Sequence, residues 1–314
     1  MRKKPVKLPG EYYFSREIVP CTVVKVHGDA LSHEHNYTGI PHWHDFSELV
    51  ILTAGSGRQN INGVSYPVSA GDVFVISGKT THYFEEYRNL EIVNILFIEH
   101  VFQGIREYLN RLPGYQLIFR FEPELRTSKE FHNTLHLSAD SLARAVNIIR
   151  KMEAELSGRN PGYEAVVVTY LFDLVILLSR SQQNRSGDQP ISRLAGLFSK
   201  LEASFQEDWT LERMAKCANM SVNTLLRNFQ AAAKQTPLIY LTSLRLNAAS
   251  HLLANTDRPV SEIAFDCGFH DSNYFTERFQ KFYRMTPTKF RCRKQGSEGK
   301  GKNARKKANN YSNY

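Results

Sequence analysis

The chain has 314 residues, of which 42% are hydrophobic and 23% are charged, and its formal net charge is +9. Since a domain usually contains about 100–200 residues, this length predicts two domains. The longest apolar run, residues 165–178, is too short to span a bilayer, and no apolar segment follows the basic N-terminus. We therefore expect a cytoplasmic protein with no membrane partner.

The positive charge is concentrated in the C-terminal half. Before Pro190 the chain has 20 basic and 21 acidic residues, whereas from Pro190 onward it has 20 basic and 10 acidic residues. This asymmetry predicts a polyanionic partner, although eight of the basic residues lie from Arg291 onward, in a polar tail. The four cysteines form no CxxC pair, which fits a reducing compartment.

Residues 21–97 have the pattern of short β-strands separated by turns. β-branched and aromatic residues are concentrated in five segments, at residues 21–26, 47–52, 58–62, 72–76 and 90–97. Turn-forming residues separate them at residues 55–57, 62–63, 70–72 and 77–79. This spacing is typical of an all-β sandwich or barrel.

After Ser138 the apolar period changes from two residues to three or four, which predicts helices. One amphipathic helix begins here, with Ser138 or Ser141 as its N-cap. A second helix follows residues 160–162 and is apolar on nearly every side. It either supports the barrel and also pairs with its copy in a homodimer, or it is intramolecular core only. Residues 182–190 are polar and rich in turn formers, so we expect a flexible linker there.

The region after the linker begins with a helix-turn-helix pattern. Thr210 is the N-cap of a helix that ends near Asn219, and Ser221 is the N-cap of a second helix. Leu225 and Phe229 lie on the buried face of this second helix. Its exposed face then offers three side chains to the major groove of DNA, namely Asn223, Leu226 and Arg227.

The same pattern recurs about fifty residues later. Gly268 is suited to the left-handed C-cap of the first helix, and Asp271 or Ser272 caps the second. Three aromatic residues are predicted to point inward from this second helix, namely Phe275, Phe279 and Phe282. A helix over residues 237–254 separates the two units and is about 27 Å long, which suits two reading heads one DNA turn apart.

A distinctive set of residues runs through this region: Arg245-Leu246, Ala248-Ala249, Leu252-Leu253, Val260, Ile263-Ala264, Cys267-Gly268-Phe269, Ser272, Tyr274-Phe275, Phe279 and Met285-Thr286-Pro287. This set closely resembles the signature of AraC/XylS-type transcription regulators. The resemblance covers residues 191–291 and implies double-stranded DNA and RNA polymerase as partners. In that family the second helix of each unit enters the major groove, and the positions here that match its base-reading residues are Asn223, Leu226, Arg227, Ser272, Asn273 and Glu277. Leu226 cannot form a hydrogen bond with a base and can only contact a thymine methyl group. Glu277 either accepts a hydrogen bond from cytosine or repels the phosphate backbone.

The N-terminal half carries a second recognisable motif. His42, His44 and Glu48, followed by Gly55, resemble the first motif of cupin barrels, and His82 matches the position of the third cupin histidine. Strand alternation gives the first three the same parity, so all four side chains could point into a barrel. Such a set suits a divalent metal such as Mn, Fe, Ni or Zn. A metal-free effector pocket and purely structural histidines are the alternatives.

The region around this motif also resembles the sensors of sugar-responsive AraC-type members, such as the rhamnose regulators. Four aromatic residues could stack on a sugar ring, or they are plain core: Trp43, Tyr66, Phe74 and Tyr83.

These observations predict an α+β protein of two domains. A cupin-like effector-sensing β-barrel over residues 1–137 is extended by a helical dimerisation segment over 138–181. A linker over 182–190 leads to an all-α DNA-binding domain with two helix-turn-helix units over 191–291, followed by a basic disordered tail over 292–314. We expect a sequence-specific, homodimeric transcription regulator, an activator that responds to a small metabolite such as a sugar, and not an enzyme. The alternatives are a cupin metalloenzyme fused to a DNA-binding module and a DNA-binding architectural protein with an inert barrel.

Overall fold

The computed structural model describes residues 4–14, 20–27, 39–125, 135–183 and 190–294. The chain forms two compact units, Met1–Ser199 and Lys200–Tyr314. The first contains all the described strands and the second contains helices, which confirms the predicted two-domain α+β class. Most of the predicted linker and of the predicted tail lies outside the described residues. The first unit ends nine residues after that linker, and the predicted domain boundaries stay a prediction.

One sheet of eight strands makes up the described β-structure of the first unit. The strands are β1 (Val6–Leu8), β2 (Cys21–His27), β3 (His42–His44), β4 (Ser47–Ile61), β5 (Val64–Ser69), β6 (Asp72–Ser77), β7 (His82–Phe97) and β8 (Leu135–His136). Their order is β1-β3-β7-β4-β6-β8, with β2 also paired to β7 and β5 also paired to β4. The described strands do not close into a ring, because the end strands β1 and β8 are only three and two residues long and do not pair with each other. The sheet formed by the described residues is therefore open, whereas the sequence predicts a cupin-like β-barrel.

β4 is one bent strand, and the predicted turn at residues 55–57 is wrong. β4 continues through that point, and its register with β7 shifts three times between Leu52 and Gln59. Gly55 has a φ of +76°, and a Cβ added to it would lie 2.1 Å from the carbonyl oxygen of Asn89. The glycine therefore allows a bulge against β7, which bends the strand without reversing it.

The turn between β4 and β5 forms as the local sequence predicts. Asn62 and Gly63 have φ angles of 49° and 87°, and a two-residue type I′ turn needs positive φ at both positions. The resulting hairpin pairs Ile61 with Val64 and places β5 beside the second half of β4.

The helices of the first unit share a core with one face of the sheet. They are α1 (Gly10–Phe14), α2 (Arg106–Asn110), α3 (Pro113–Tyr115), α4 (Glu122–Leu125), α5 (Ala139–Gly158) and α6 (Tyr163–Gln183), with a 3₁₀ turn at Glu99–Phe102 and a π-helical segment at Gln116–Phe121. Ser138 caps α5 by accepting a hydrogen bond from the backbone nitrogen of Ser141. Ile95 of the sheet packs in one cluster with Met152 of α5 and Leu171 of α6. None of the described helices is long and apolar enough to cross a bilayer.

α7 (Pro190–Ala203) spans the division between the units and is followed by α8 (Leu211–Cys217), α9 (Val222–Ala233), α10 (Pro237–Asn255), α11 (Val260–Asp266) and α12 (Ser272–Tyr283), and residues 287–294 are helical as well. Thr210 caps α8, Ser221 caps α9, and Asp271, rather than Ser272, caps α12. Gly268 has the predicted left-handed conformation, with a φ of +86°. Helices α8–α9 and α11–α12 therefore form the two predicted helix-turn-helix units.

One aromatic residue of α12 is exposed against prediction. Phe275 and Phe279 are buried, but Phe282 is 47% exposed. The inward position one turn after Phe279 is taken by Tyr283, whose ring lies 4.6 Å from that of Phe279 and 5.1 Å from that of Phe290. The spacing of four residues places Tyr283 on the core side and rotates Phe282 away from it.

Candidate functional site

The predicted histidines and glutamate reach one cavity from three strands. His42 and His44 are buried on β3, Glu48 is buried near the start of β4, and His82 is the first residue of β7. β3 and β7 are paired at His42 and His82, which brings residues forty positions apart into register. The sheet therefore places all four predicted side chains on the same side.

Backbone carbonyl groups orient the three imidazole rings. Nδ1 of His42 lies 2.7 Å from the oxygen of Ile40, and Nδ1 of His44 lies 2.7 Å from the oxygen of Phe46. Nδ1 of His82 lies 3.1 Å from the carbonyl oxygen of Thr80, two residues earlier in the chain. Because a carbonyl oxygen only accepts hydrogen bonds, each Nδ1 donates, and each Nε2 is left for the cavity.

His44, Glu48 and His82 converge, while His42 lies beside them. Oε2 of Glu48 lies 3.1 Å from Nε2 of His44 and 3.1 Å from Nε2 of His82. Ligand atoms of these three residues lie within 4.8 Å of one another, a distance that suits a shared metal ion. The ring of His42 is tilted by 59° against that of His82, with ring centroids 4.1 Å apart, but His42 is not part of this three-residue group.

Burial and neighbouring charges set the protonation of the cluster. Burial disfavours the ionised form of Glu48, but hydrogen bonds from His44 and then His82 outweigh it and hold the pKa of the carboxyl well below its usual range. Burial, followed by the nearby His82, lowers the pKa of His42 from 6.5 to about 4. The cluster near neutral pH therefore contains a carboxylate and a neutral His42.

Aliphatic and aromatic side chains form most of the remaining cavity wall. The cavity has a volume of ≈ 50 Å³, and Tyr13, Phe46 and Phe84 are its aromatic lining residues. None of the four aromatic residues predicted to stack on a sugar lines it. Phe74, one of those four, is fully buried in the apolar cluster behind the cavity wall. Aromatic residues in strands cannot be assigned to core or cavity from sequence, because bulges change which side they face.

Two buried amide atoms in the cavity, one on Gln59 and one on Asn94, lack hydrogen-bond partners among the described residues, and sequence reasoning missed both residues. Gln59 is 1% exposed, and its Nε2 has no hydrogen-bond partner among the described residues. Oδ1 of Asn94 is likewise buried and unmatched within the described part of the chain. Both residues line the same cavity as the histidine cluster. Since an unmatched buried polar atom typically costs about 1–3 kcal/mol, the pair indicates a place where a polar ligand binds.

The predicted base-reading residues of the first helix-turn-helix unit lie on the outer side of α9. Asn223 and Arg227 are exposed and Leu226 is half-buried, while Leu225 and Phe229 are fully buried. Ser221 starts the helix by accepting a hydrogen bond from the backbone nitrogen of Thr224 at 3.2 Å. The first two turns of α9 thus present one amide and one guanidinium group to solvent.

The second unit repeats this arrangement with different chemistry. Asn273 and Glu277 of α12 are exposed, and Ser272 is half-buried in the first turn. Counted from the N-cap, Asn273 matches Asn223 of the first unit, whereas Glu277 stands where the first unit has Arg227. The two units therefore offer the same amide but opposite charges at a matched position.

Comparisons with known proteins agree with both halves of the molecule. Residues 214–293 match the model of a helix-turn-helix domain, and residues 29–154 match that of an AraC-like ligand-binding domain. The chain is 31% identical over 254 residues to "HTH-type transcriptional activator RhaS" of Enterobacter sp., with 80% of this chain and 86% of the relative covered. The chain belongs to the AraC-type transcription regulators.

A further relative of this AraC-type regulator supports the assignment over the whole chain. "HTH-type transcriptional activator RhaR" of Mannheimia succiniciproducens is 29% identical over 290 residues, covering 92% of this chain and 97% of the relative. Among solved structures, the C-terminal domain of the response regulator yesN from Fusobacterium nucleatum is 30% identical, covers 30% of this chain and 93% of its own, and has a TM-score of 0.30. This AraC-type protein is thus a DNA-binding regulator with a ligand-binding domain, and the predicted metalloenzyme alternative is set aside.

Proposed function

We propose that this AraC-type regulator activates transcription in the cytoplasm when a sugar occupies the cavity of its first unit. DNA binding is supported by one observation: the capped helices α9 and α12 have exposed faces whose side chains can form hydrogen bonds with base edges. An asparagine amide pairs with adenine, and an arginine guanidinium pairs with guanine. Asn223, Arg227 and Asn273 are therefore the base readers we favour, and Leu226, Ser272 and Glu277 complete the proposed contact set. The names of both relatives support activation.

The cavity supports a hydroxylated effector. A hydroxyl group both accepts and donates, so one hydroxylated ligand would match the free amide nitrogen of Gln59 and the free amide oxygen of Asn94. The resemblance to rhamnose regulators makes L-rhamnose the first probe. The effector changes DNA binding only if it binds one arrangement of the protein more tightly than the other.

The active form we propose is a homodimer that also contacts RNA polymerase. The proposed dimerisation segment is residues 138–181, which contains α5 and most of α6. We place the contact with the partner on the side of α6 that carries Val166, which is 37% exposed. The remaining boundaries are a sensor over residues 1–137, a linker over 182–190, a DNA-binding domain over 191–291 and a basic tail over 292–314.

The test measures sequence selection and sugar response separately. Full-length protein selects its target from random DNA, and fluorescence anisotropy then measures affinity with and without L-rhamnose, L-arabinose, L-fucose or D-xylose. We expect one selected sequence and a change in affinity of about 5- to 150-fold with one of these sugars. Asn223→Ala should weaken target binding, whereas Gln230→Ala, at the far end of α9, should not. The absence of any selected sequence would refute the DNA-binding half, and no response to the four sugars would refute the sugar half.

A further inference from the structure

In the described part of the chain, the apolar core of the second helix-turn-helix unit does not include that of the first. Ile263 and Phe275 belong to one buried cluster, which begins at Leu246 in the middle of α10. The buried residues of α9, Leu225 and Phe229, are not part of this cluster. α10 carries the chain from one helix-turn-helix unit to the other. Polar contacts make a second connection, through the segment that precedes α8.

Residues 204–209, which we call the bridging segment, are fixed to the first helix-turn-helix unit. Trp209 is buried, and its indole nitrogen donates to the carbonyl oxygen of Ser204 at 2.9 Å. The guanidinium of Arg213 on α8 lies 4.3 Å from the centre of the Trp209 ring, and its Nη1 donates to the carbonyl oxygen of Asp208 at 2.5 Å. The bridging segment and α8 are therefore held together as one piece.

Arg245 binds the bridging segment to α10. Its Nε donates to the carbonyl oxygen of Phe205 and its Nη2 to the carbonyl oxygen of Glu207, both at 2.8 Å. The guanidinium also lies 6.0 Å from the ring centre of Phe269, in the turn between α11 and α12. Because a guanidinium is planar and its donors point in fixed directions, two hydrogen bonds fix the orientation of the segment as well as its distance.

The turn between α11 and α12 contacts the same segment. A Cβ added to Gly268 would lie 2.6 Å from the carbonyl oxygen of Gln206, so only glycine permits this close approach. Nε2 of His270 donates to Oδ1 of Asp208 at 2.6 Å. The bridging segment thus joins α8 both to α10 and to the turn of the second helix-turn-helix unit.

We propose that Arg245 is a positioning residue for DNA reading, which holds α9 and α12 at the one spacing that matches their shared target. The inference rests on the proposed function, in which both helices read bases. One added base pair moves part of the target by about 3.4 Å along the DNA axis and turns it by roughly 35°. Helix-turn-helix units locked together by the bridging segment cannot follow this change, whereas units joined by α10 alone follow it in part.

The test uses full-length protein and fluorescence anisotropy on the selected target, and on versions with one base pair added or removed between the positions read by α9 and α12. Those positions are the ones at which Asn223→Ala and Asn273→Ala relax the base preference. For the wild type we expect either change of spacing to lower affinity about 5- to 150-fold, since one set of base contacts is lost. Arg245→Met keeps an unbranched side chain but removes both hydrogen bonds, and its loss should be at least about threefold smaller.

Two further variants accompany Arg245→Met. Arg245→Lys keeps the charge without the planar fork and should show an intermediate loss, and it serves as the decisive variant where Arg245→Met does not fold by circular dichroism. Arg258→Met is the matched control, because the ion pairs of Arg258 with Glu262 and Asp266 stay within the second helix-turn-helix unit. It should keep the wild-type loss.

A folded Arg245 variant that shows the full wild-type loss would overturn the inference. If that variant also has a smaller salt slope, Arg245 contacts a phosphate instead of positioning the readers. Wild-type protein that tolerates both changes of spacing would likewise overturn the inference, and would leave base reading by the two helices standing. If neither Asn223→Ala nor Asn273→Ala relaxes any position, the proposed base reading itself is refuted, and the inference with it.

Discussion

Replacement of Arg227 by alanine gives the sharpest test of DNA reading. Arg227 is exposed on α9, between the buried Leu225 and Phe229, and no salt bridge ties it to another residue in the part of the chain that the structure describes. Arg213 differs, because it pairs with Glu207 and lies 4.3 Å from the ring centre of Trp209. The guanidinium of Arg227 is therefore available to DNA, and its loss removes no contact that stabilises the fold.

The expected magnitude follows from this difference. An exposed substitution without special contacts usually changes the free energy of unfolding by less than about 0.5 kcal/mol, so Arg227→Ala should keep its thermal stability. A guanidinium that bonds O6 and N7 of guanine contributes about 1–3 kcal/mol of discrimination, or roughly 5- to 150-fold in affinity. The loss should appear at one base pair of the target and be absent when that pair is changed.

The assay compares the selected target with its single-base variants by fluorescence anisotropy, at several salt concentrations. For Arg227→Ala we expect relaxed preference at one position and little change in the salt dependence. The control is Arg213→Ala, which should lower the unfolding midpoint but keep the order of base preferences. A uniform loss of affinity over all sequences, with the slope of log affinity against log salt concentration reduced by about one, would show that Arg227 contacts a phosphate. That result would refute its assignment as a base reader.

Three further predictions concern other parts of the molecule. Gln59→Leu removes an unmatched buried amide, so its unfolding midpoint should be unchanged or raised while the sugar response is lost; a midpoint several degrees lower would reveal a structural partner. Gly268→Ala should destabilise the second unit by at least about 2 kcal/mol in thermal or urea unfolding, since φ is +86° and the added Cβ would lie 2.6 Å from the carbonyl oxygen of Gln206; a stable variant would contradict this geometry. Val166→Asp should convert the dimer to monomer in sedimentation experiments, and an unchanged dimer would place the interface elsewhere.

The helical half follows closely from local sequence. Thr210 and Ser221 cap their helices, and Gly268 has the left-handed conformation, because each depends on interactions within a few residues. The buried positions Leu225 and Phe229 likewise follow from a period of 3.6 residues. The prediction that Phe282 points inward is wrong. Residues three and four positions after Phe279 are both compatible with that period, and packing against Phe290 places Tyr283, rather than Phe282, on the core side.

For the sensor, the sequence by itself indicated β-structure in five segments, the Asn62-Gly63 turn and the four candidate site residues, since these depend on neighbours along the chain. Only the tertiary structure decided that β4 bends through Gly55 without a turn, because that bulge depends on close approach to β7. It also decided that His44, Glu48 and His82 converge while His42 stands beside them. Gln59 lines the cavity because strand pairing brings together residues that are far apart in sequence. The bulges in β4 decide which of its side chains face the cavity.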